Sequence, residues 1–237
     1  MSEHPATPGG TAPHALVADL HVPSLSEEDR HHLERVRRLR NGDPISVTDG
    51  RGSWRWCRFG PELEPDGEIG CAEVPAPAVT VAFALVKGEK PELVVQKLTE
   101  LGVDRILPFV AARSVVHWDE AKIARNTSRL RRVSVEAAMQ SRRIWIPVVE
   151  ELCSFEDVVS LPGMVAADRE GDAPSLGAAS IMIGPEGGWS DQERSLIGAT
   201  VSLGEGVLRA ETAAIAAGAL LCALRGGLVG PSVPSVA

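Results

Sequence analysis

Two stretches near the C-terminus carry residues able to do chemistry: Ile181-Met182-Ile183-Gly184-Pro185-Glu186-Gly187-Gly188-Trp189 and Leu203-Gly204-Glu205-Gly206-Val207-Leu208-Arg209-Ala210-Glu211-Thr212-Ala213. Each follows a short apolar or β-branched run and leads towards a helical pattern, so each lies where a strand delivers backbone to a ligand crevice. Gly184, Gly187 and Gly188 permit a close approach that a Cβ would forbid, which lets backbone N–H groups face a ligand. Glu186 sets a carboxylate in the first turn. Arg209, Glu211 and Thr212 set a cation, a carboxylate and a hydroxyl at a helix start. The same three also read as plain helix-terminus chemistry, with Arg209 and Glu211 as a local ion pair and Thr212 or Glu211 as a cap.

Several familiar constellations are missing. There is no G-x-x-x-x-G-K-[ST] loop, no G-x-G-x-x-G after the first strand of the α/β region, and no strand-end acid at the distance expected for a ribose. Cys57, Cys71, Cys153 and Cys222 stand far apart without a C-x-x-C pair, and His31, His32 and His117 lack ligand spacing, so no metal is expected. No histidine adjoins a Ser or Cys in a nucleophile motif, which leaves hydrolase and metalloenzyme readings without support. The cysteines read as small neutral residues, and Met139 and Met182 as core.

Periodicity identifies the elements that must position the turns. Residues 79–86 form a continuous apolar run suited to a central strand buried on both faces. Pro91 fits the first turn of a helix to Leu101, with Leu93, Val94, Lys97, Leu98 and Leu101 spaced for one buried face and Gly102 as C-cap. Residues 103–109 return as a strand, which makes a β-α-β unit and hence a parallel sheet. Helical pattern follows over 122–139, then a strand near Val148, a short helix at 155–159, and strands at 164–167 and 181–183. Ser190 caps a helix opening at Asp191, 199–203 is a strand, 212–224 is a helix, and 226–237 reads as an unpacked tail. The expectation is an α/β domain over residues 76–237 with five or six parallel strands. Both turns fall beyond strand carboxyl ends, where open sheets bind ligands.

Residues 1–75 read as a small β-barrel. A strand is expected at 14–20, and the Ser24-x-x-Glu27 spacing resembles a capping box opening a helix to about residue 39. Asn41-Gly42-Asp43 is a turn, 45–48 a strand, Asp49-Gly50-Arg51-Gly52 a hairpin, and 54–59 a strand alternating aromatic and basic residues. Residues 68–74 complete the barrel, and Pro75-Ala76-Pro77 is a hinge.

The 237 residues carry a net charge of -8 with a pI near 5.3, which taken alone argues against a nucleic-acid partner. The distribution reverses that argument. Residues 30–58 and 113–143 each hold eight basic residues against three acidic ones, so the rest of the chain carries about -18. Charge segregated in this way suits an acidic protein that must still grip phosphate, although a solvated helix face has the same composition. Trp54 and Trp56 read either as base-stacking surfaces or as buried barrel residues. No apolar run approaches the roughly 20 residues of a membrane span. Residues 1–13 lack the cationic start and apolar stretch of a secretory signal, so a cytoplasmic location is expected.

The motifs, taken in order, resemble the ribosomal RNA small subunit methyltransferase E family of the SPOUT superfamily. The matching stretches are His32-Leu33 with Val36-Arg37 and Gly42-Asp43; Lys87-Gly88-Glu89-Lys90 with Gln96-Lys97 and Glu100-Leu101-Gly102-Val103; Arg113-Ser114; Glu136-Ala137-Ala138 with Gln140-Ser141-Arg142; and the two turns themselves. The resemblance implies a PUA-like RNA-binding barrel over 1–75, a SPOUT methyltransferase domain with a deep trefoil knot over 76–237, and a homodimer. It implies S-adenosylmethionine-dependent methylation of N3 of a uridine in 16S rRNA of the small ribosomal subunit. The cofactor would meet Ala167, Ile183, Gly184, Pro185, Glu186, Gly187, Gly188, Leu203, Gly204, Val207, Leu208, Arg209 and Thr212. Arg209 would stabilise developing anionic charge and Glu211 would serve as base. Arg37, Arg38, Arg113, Arg129, Arg132, Gln140 and Arg142 would contact RNA. Two departures stand out: Leu16 and Val17 occupy positions where the family commonly has aromatics, and Met139-Gln140 replaces its usual Glu-Gln.

The residues read without that resemblance leave two other classes open, a non-catalytic RNA-binding protein and a nucleotide-dependent oxidoreductase. Binding of S-adenosylhomocysteine separates all three.

Overall fold

Short strands with one apolar face build the N-terminal sheet: His14–Leu16 (β1), Pro44–Thr48 (β2), Ser53–Arg58 (β3), Glu64–Pro65 (β4) and Gly70–Cys71 (β5). The computed structural model describes Pro8 and residues 11–230. Within them the chain divides into two units: the described residues up to Val74 with Val135–Ile146, and Pro75–Ser134 with the described residues from Pro147 onward. Part of the expected tail, 231–237, and most of the first ten residues lie outside the described range.

In the first unit the strands run in the order β1-β2-β3-β4, with β5 also paired to β3. Ile45, Val47, Cys57 and Phe59 point into a core with Ala15, Val17, Leu20, Leu33 and Leu63. Trp54 and Trp56 are both buried, with their rings edge to face at 6.3 Å, so they are core residues and offer no stacking surface. The helix Glu27–Arg35 (α1) starts later than the Ser24 spacing suggests. Its N-cap is Ser26, whose hydroxyl accepts from the Asp29 amide at 3.0 Å. It ends before Leu39 because Arg38 turns into the left-handed region at φ 57°. The strand expected over 68–74 contracts to β5, and β4 is an addition.

Residues 135–146 belong to this unit through explicit bonds. Gly52 donates its amide to Ile144 at 2.8 Å, Ile146 donates to Gly50 at 3.0 Å, and the His14 ring meets Ser46 Oγ at 2.8 Å and the Arg143 carbonyl at 3.3 Å. Burial pushes the His14 pKa down to about 4, with the nearby Arg142 charge adding to the effect and the two hydrogen bonds opposing it.

The second unit is α/β. Thr80–Ala84 (β6), Lys90–Leu101 (α2), Arg105–Val110 (β7), Glu120–Gln140 (α3, its last turns counted with the first unit), Val148–Val149 (β8), Cys153–Ser154 (β9), Phe155–Val159 (α4), Met164–Asp172 (β10), Ser180–Ile183 (β11), Asp191–Leu196 (α5), Thr200–Val201 (β12) and Ala210–Arg225 (α6) follow in turn. The parallel sheet runs β12-β10-β11-β6-β7-β8, with β9 also on β7. All of β6 is buried, as its unbroken apolar run requires.

Period-two alternation feeds two cores. Val81, Phe83, Ile106, Ile181 and Ile183 face α2 and α6, while Ala82, Ala84, Leu107, Phe109 and Met182 face α4 and Trp189. Gly218 lets α6 close on α2, since a Cβ there would come within 2.6 Å of Leu98 Cδ2. Arg225, at the end of α6, binds Asp104 and donates to the Gly102 carbonyl at 2.7 Å, which ties that helix to the strand starts.

Candidate functional site

The chain moves outward from β6 to β7 and β8, yet β11 returns on the opposite side of β6. The order therefore reverses between β6 and β11, which is where crevices open at strand carboxyl ends. On the β11 side of that reversal, along β10 and beyond the carboxyl ends of β11 and β12, the structure has a cleft of about 770 Å³. Its walls are Ala167 to Glu170 within β10, Ile183 at the end of β11 with Gly184 to Glu186, Gly188 and Trp189 after it, Arg194 from α5, Leu203 to Leu208 after β12, and Ala210 and Ala213 from α6.

Each wall has a local cause. In the first turn Gly188 donates its amide to Pro185 at 2.8 Å and sits at φ 70°, a conformation that favours glycine. Gly184 lies under the Trp189 indole, and a Cβ there would come within 2.8 Å of the ring. Trp189 is 5% exposed, stacked on Phe109 with centroids 6.2 Å apart and packed on Phe155 at 5.6 Å. Behind the turn, Ser190 and Glu193 form a capping box, and Glu193 also accepts the Ala112 amide at 2.8 Å. Burial alone would raise the Glu193 pKa, but the amides of Ala112 and Ser190, the Ser190 hydroxyl and the Arg113 charge together hold it below the usual value. The β10 wall comes from a register shift between Ala167 and Asp172, which throws Asp168 to Glu170 outward into the rim.

Of the expected cofactor-contacting residues, Ala167, Ile183, Gly184, Pro185, Glu186, Gly188, Leu203, Gly204, Val207 and Leu208 line the cleft. Gly187, Arg209 and Thr212 do not. Gly187 is exposed, and its carbonyl accepts from Arg113 Nη1 at 3.0 Å. Arg209 is the N-cap of α6 and exposed, close to Val207 at 83% exposure. Thr212 faces solvent, because α6 begins at Ala210 and sets that side chain on its outer side.

Glu211 does not pair with Arg209. Its Oε1 lies 3.0 Å from Lys90 Nζ at the start of α2, and the same ammonium lies 3.5 Å from Glu186 Oε1. Lys90 thus joins the turn after β11 to the first turn of α6. Burial tends to raise the Glu211 pKa, but its own backbone amide, the Lys90 hydrogen bond and charge, and the Arg209 charge bring it below the ordinary glutamate value. The Lys90 pKa is raised, chiefly by its hydrogen bond to Glu211.

The basic segments divide in two. Arg37 and Arg38 are exposed, as are Arg132 and Gln140. Arg113, Arg129 and Arg142 make contacts within their own units: to Gly187, to Glu92 at 3.1 Å and to the Ala12 carbonyl at 3.0 Å.

Periodicity and motif spacing missed Lys90, Trp189, Arg194 and the Asp168–Glu170 rim as parts of the site. The Ser190-x-x-Glu193 box was a usable signal for the turn's anchor. Lys90 stands in the matching stretch Lys87-Gly88-Glu89-Lys90, but nothing local marks its two partners, which lie about a hundred residues away in sequence.

The RNA methyltransferase domain model matches residues 73–222, and the RNA methyltransferase PUA domain model matches residues 25–59. A ribosomal RNA small subunit methyltransferase E of Mycobacterium bovis is 33% identical over 83% of this chain and 84% of its own length. The chain belongs to the ribosomal RNA small subunit methyltransferase E family. The Synechocystis member is 36% identical over 85% of this chain and 73% of its own length. The crystal structure of the Neisseria gonorrhoeae member, bound to S-adenosyl methionine, superposes with a TM-score of 0.76 at 26% identity, covering 90% of this chain and 98% of that one. Among family traits, the expected parallel α/β domain and PUA domain are both present. Among the described residues no helix is long and apolar enough to cross a membrane.

Proposed function

We propose that the chain binds S-adenosylmethionine in the cleft and methylates N3 of a uridine in 16S rRNA of the small ribosomal subunit. The cleft itself carries this reading: about 770 Å³ beyond the carboxyl ends of β11 and β12, within the usual size of small-molecule sites. Its composition fits the cofactor. Ile183, Leu203, Ala210, Ala213 and Trp189 offer apolar surface, the glycine turns offer backbone, and the four carboxylates Asp168, Glu170, Glu186 and Glu205 outnumber the two cations Arg169 and Arg194, a balance suited to a cationic ligand.

S-adenosylmethionine, when bound, supplies an electrophilic methyl group on a sulfonium. The chain's own work is then to orient the uridine and manage its N3 proton, which ordinarily dissociates only well above neutral pH. Arg209, exposed at the cleft end of α6, stabilises negative charge as N3 becomes nucleophilic. Glu211 accepts the proton. Arg37, Arg38, Arg113, Arg129, Arg132, Gln140 and Arg142 hold RNA, with the exposed Arg37 and Arg38 bearing most of the phosphate contact. In this reading residues 1–75 close as a PUA-like barrel and residues 76–237 thread a trefoil knot around the cleft. The chain works as a cytoplasmic homodimer.

Calorimetric titration with S-adenosylhomocysteine, followed by methylation of small-subunit rRNA and mass analysis of its nucleosides, tests the proposal. Saturable binding and one added methyl group at uridine N3 are expected. No binding, or methylation at another atom, refutes it.

A further inference from the structure

The two oxygens of the Glu211 carboxylate are treated differently by the fold. The side chain is 12% exposed, with Oε1 held at 3.0 Å by Lys90 Nζ. Oε2 is buried and receives no hydrogen bond from any described residue. Burying a carboxylate oxygen without a donor is costly, and folded proteins seldom leave one so unless a ligand completes it. Glu211 is not itself in the cleft lining, but it stands next to it: Ala210 before it and Ala213 after it in the first turn of α6 both line the cleft, as does Glu186 on the other side of Lys90.

We propose that Lys90 is a positioning residue of the methyl transfer, fixing Glu211 through Oε1 so that Oε2 stands ready to take the uridine N3 proton. This rests on the methyltransferase reading above and adds the group that organises its base. As the N3–CH3 bond forms, the S–CH3 bond breaks with its electron pair going to sulfur. The N3–H pair stays on nitrogen and the proton passes to Glu211 Oε2, then to water. Lys90 keeps its protons throughout.

The charges facing Glu211 come from three places: Lys90 on α2, Glu186 in the turn after β11, and Arg209 ahead of α6. Glu186 competes for Lys90, but it lies farther from the ammonium at 3.5 Å and is 61% exposed, so water solvates it. Glu211, shorter in distance and mostly buried, depends on Lys90 far more. Removing the ammonium frees the carboxyl to rotate and to hold its proton at higher pH. The Glu211 backbone amide and the Arg209 charge remain to oppose that change.

The test compares the wild-type chain with Lys90→Met and Lys90→Arg, using glutamate labelled with ¹³C at the side-chain carboxyl and following Glu211 by NMR against pH. This readout needs neither cofactor nor RNA. Glu211 is expected to titrate below ordinary glutamate in the wild type, to move up in Lys90→Met, and to return in Lys90→Arg. In the rRNA assay the acid limb of kcat against pH should move up with it, with kcat lowered about 10- to 100-fold and S-adenosylhomocysteine affinity changed less than about twofold, since Lys90 does not itself line the cleft. An unchanged Glu211 titration in Lys90→Met overturns the proposal. So does a loss of S-adenosylhomocysteine affinity with kcat intact, which would make Lys90 a brace for the Glu186 turn alone. A wild-type chain that binds no S-adenosylhomocysteine while Glu211 shifts as described defeats the methyltransferase reading, and with it the catalytic role, while leaving the Lys90–Glu211 pair established.

Discussion

The cleft of the α/β unit and the sheet of the first unit use their conspicuous residues in opposite ways. Around the cleft, backbone turns shape the wall and buried side chains brace it: Trp189 packs on Gly184 while keeping one edge in the lining, and Glu193 anchors the turn from beneath. In the first unit the large and charged residues that draw the eye in sequence are partly spent on the fold. Arg30 donates to the Gly60 carbonyl and lies over Phe59, Arg55 donates to Gly67 and Leu20, and Arg58 pairs with Asp66 at 2.6 Å. Both tryptophans are core. The arginines just beyond α1, Arg37 and Arg38, are left in solvent. Residue type alone is thus a poor guide to which side chain meets a ligand. The useful question is which polar groups the fold leaves uncommitted.

The largest effect that sharpens this contrast is expected for Trp189→Ala. Loss of a buried aromatic stacked on Phe109 and packed on Phe155 should cost about 3–5 kcal/mol in urea unfolding. S-adenosylhomocysteine binding should fall with it, because the indole supports the turn. An unchanged affinity would show that the wall does not depend on its backing.

Acid should separate the two units next. The His14 pKa is about 4 in the fold against 6.5 ordinarily, so the unfolded chain binds the proton more readily. The resulting stabilisation, about 3 kcal/mol, is complete above pH 6.5 and is lost as pH falls through 4. Glu193, held below its usual 4.5, contributes stability above that value and loses it only as pH falls through its lower folded value. Urea midpoints measured against pH in wild type and His14→Gln should differ in slope between pH 6.5 and 4, and a parallel pair of curves would remove His14 as the cause.

Glu193→Ala should cost less at neutral pH, about 1–3 kcal/mol, by leaving the Ala112 and Ser190 amides without their acceptor. Chemical denaturation would report it. The smallest stability change belongs to Arg37→Glu with Arg38→Glu, within about 0.5 kcal/mol, as expected for exposed side chains. The same pair should weaken binding of an rRNA fragment and reduce its salt slope by about one for each phosphate no longer neutralised. A salt slope equal to that of the wild type would take both residues out of the RNA-binding surface.

Much of the α/β unit is legible in local pattern. The run at 79–86 suits only a strand buried on both faces, and Pro91 with Gly102 brackets α2, which ends at Leu101 with Gly102 in the left-handed region. Residues 155–159 and the cap at Ser190 are likewise readable. These features are set by neighbours in sequence, so spacing suffices. The start of α1 is displaced by two residues because Ser24 and Ser26 both precede an acid by three, and spacing alone cannot choose between two such caps.

Other parts could not be read in this way. The Asp168–Glu170 rim exists because the backbones of Thr200 and Val201 press against Gly171, where a Cβ would collide with them. The assignment of 135–146 to the first unit depends on bonds from Gly50 and Gly52 to residues nearly a hundred positions later. The sequence by itself determined the strand carboxyl ends, the two glycine turns and the family, because each is encoded in contiguous residues. Tertiary structure alone decided that Glu211 takes Lys90, and not its neighbour Arg209, as its ion-pair partner, since Coulomb attraction and burial act through space and are indifferent to separation along the chain.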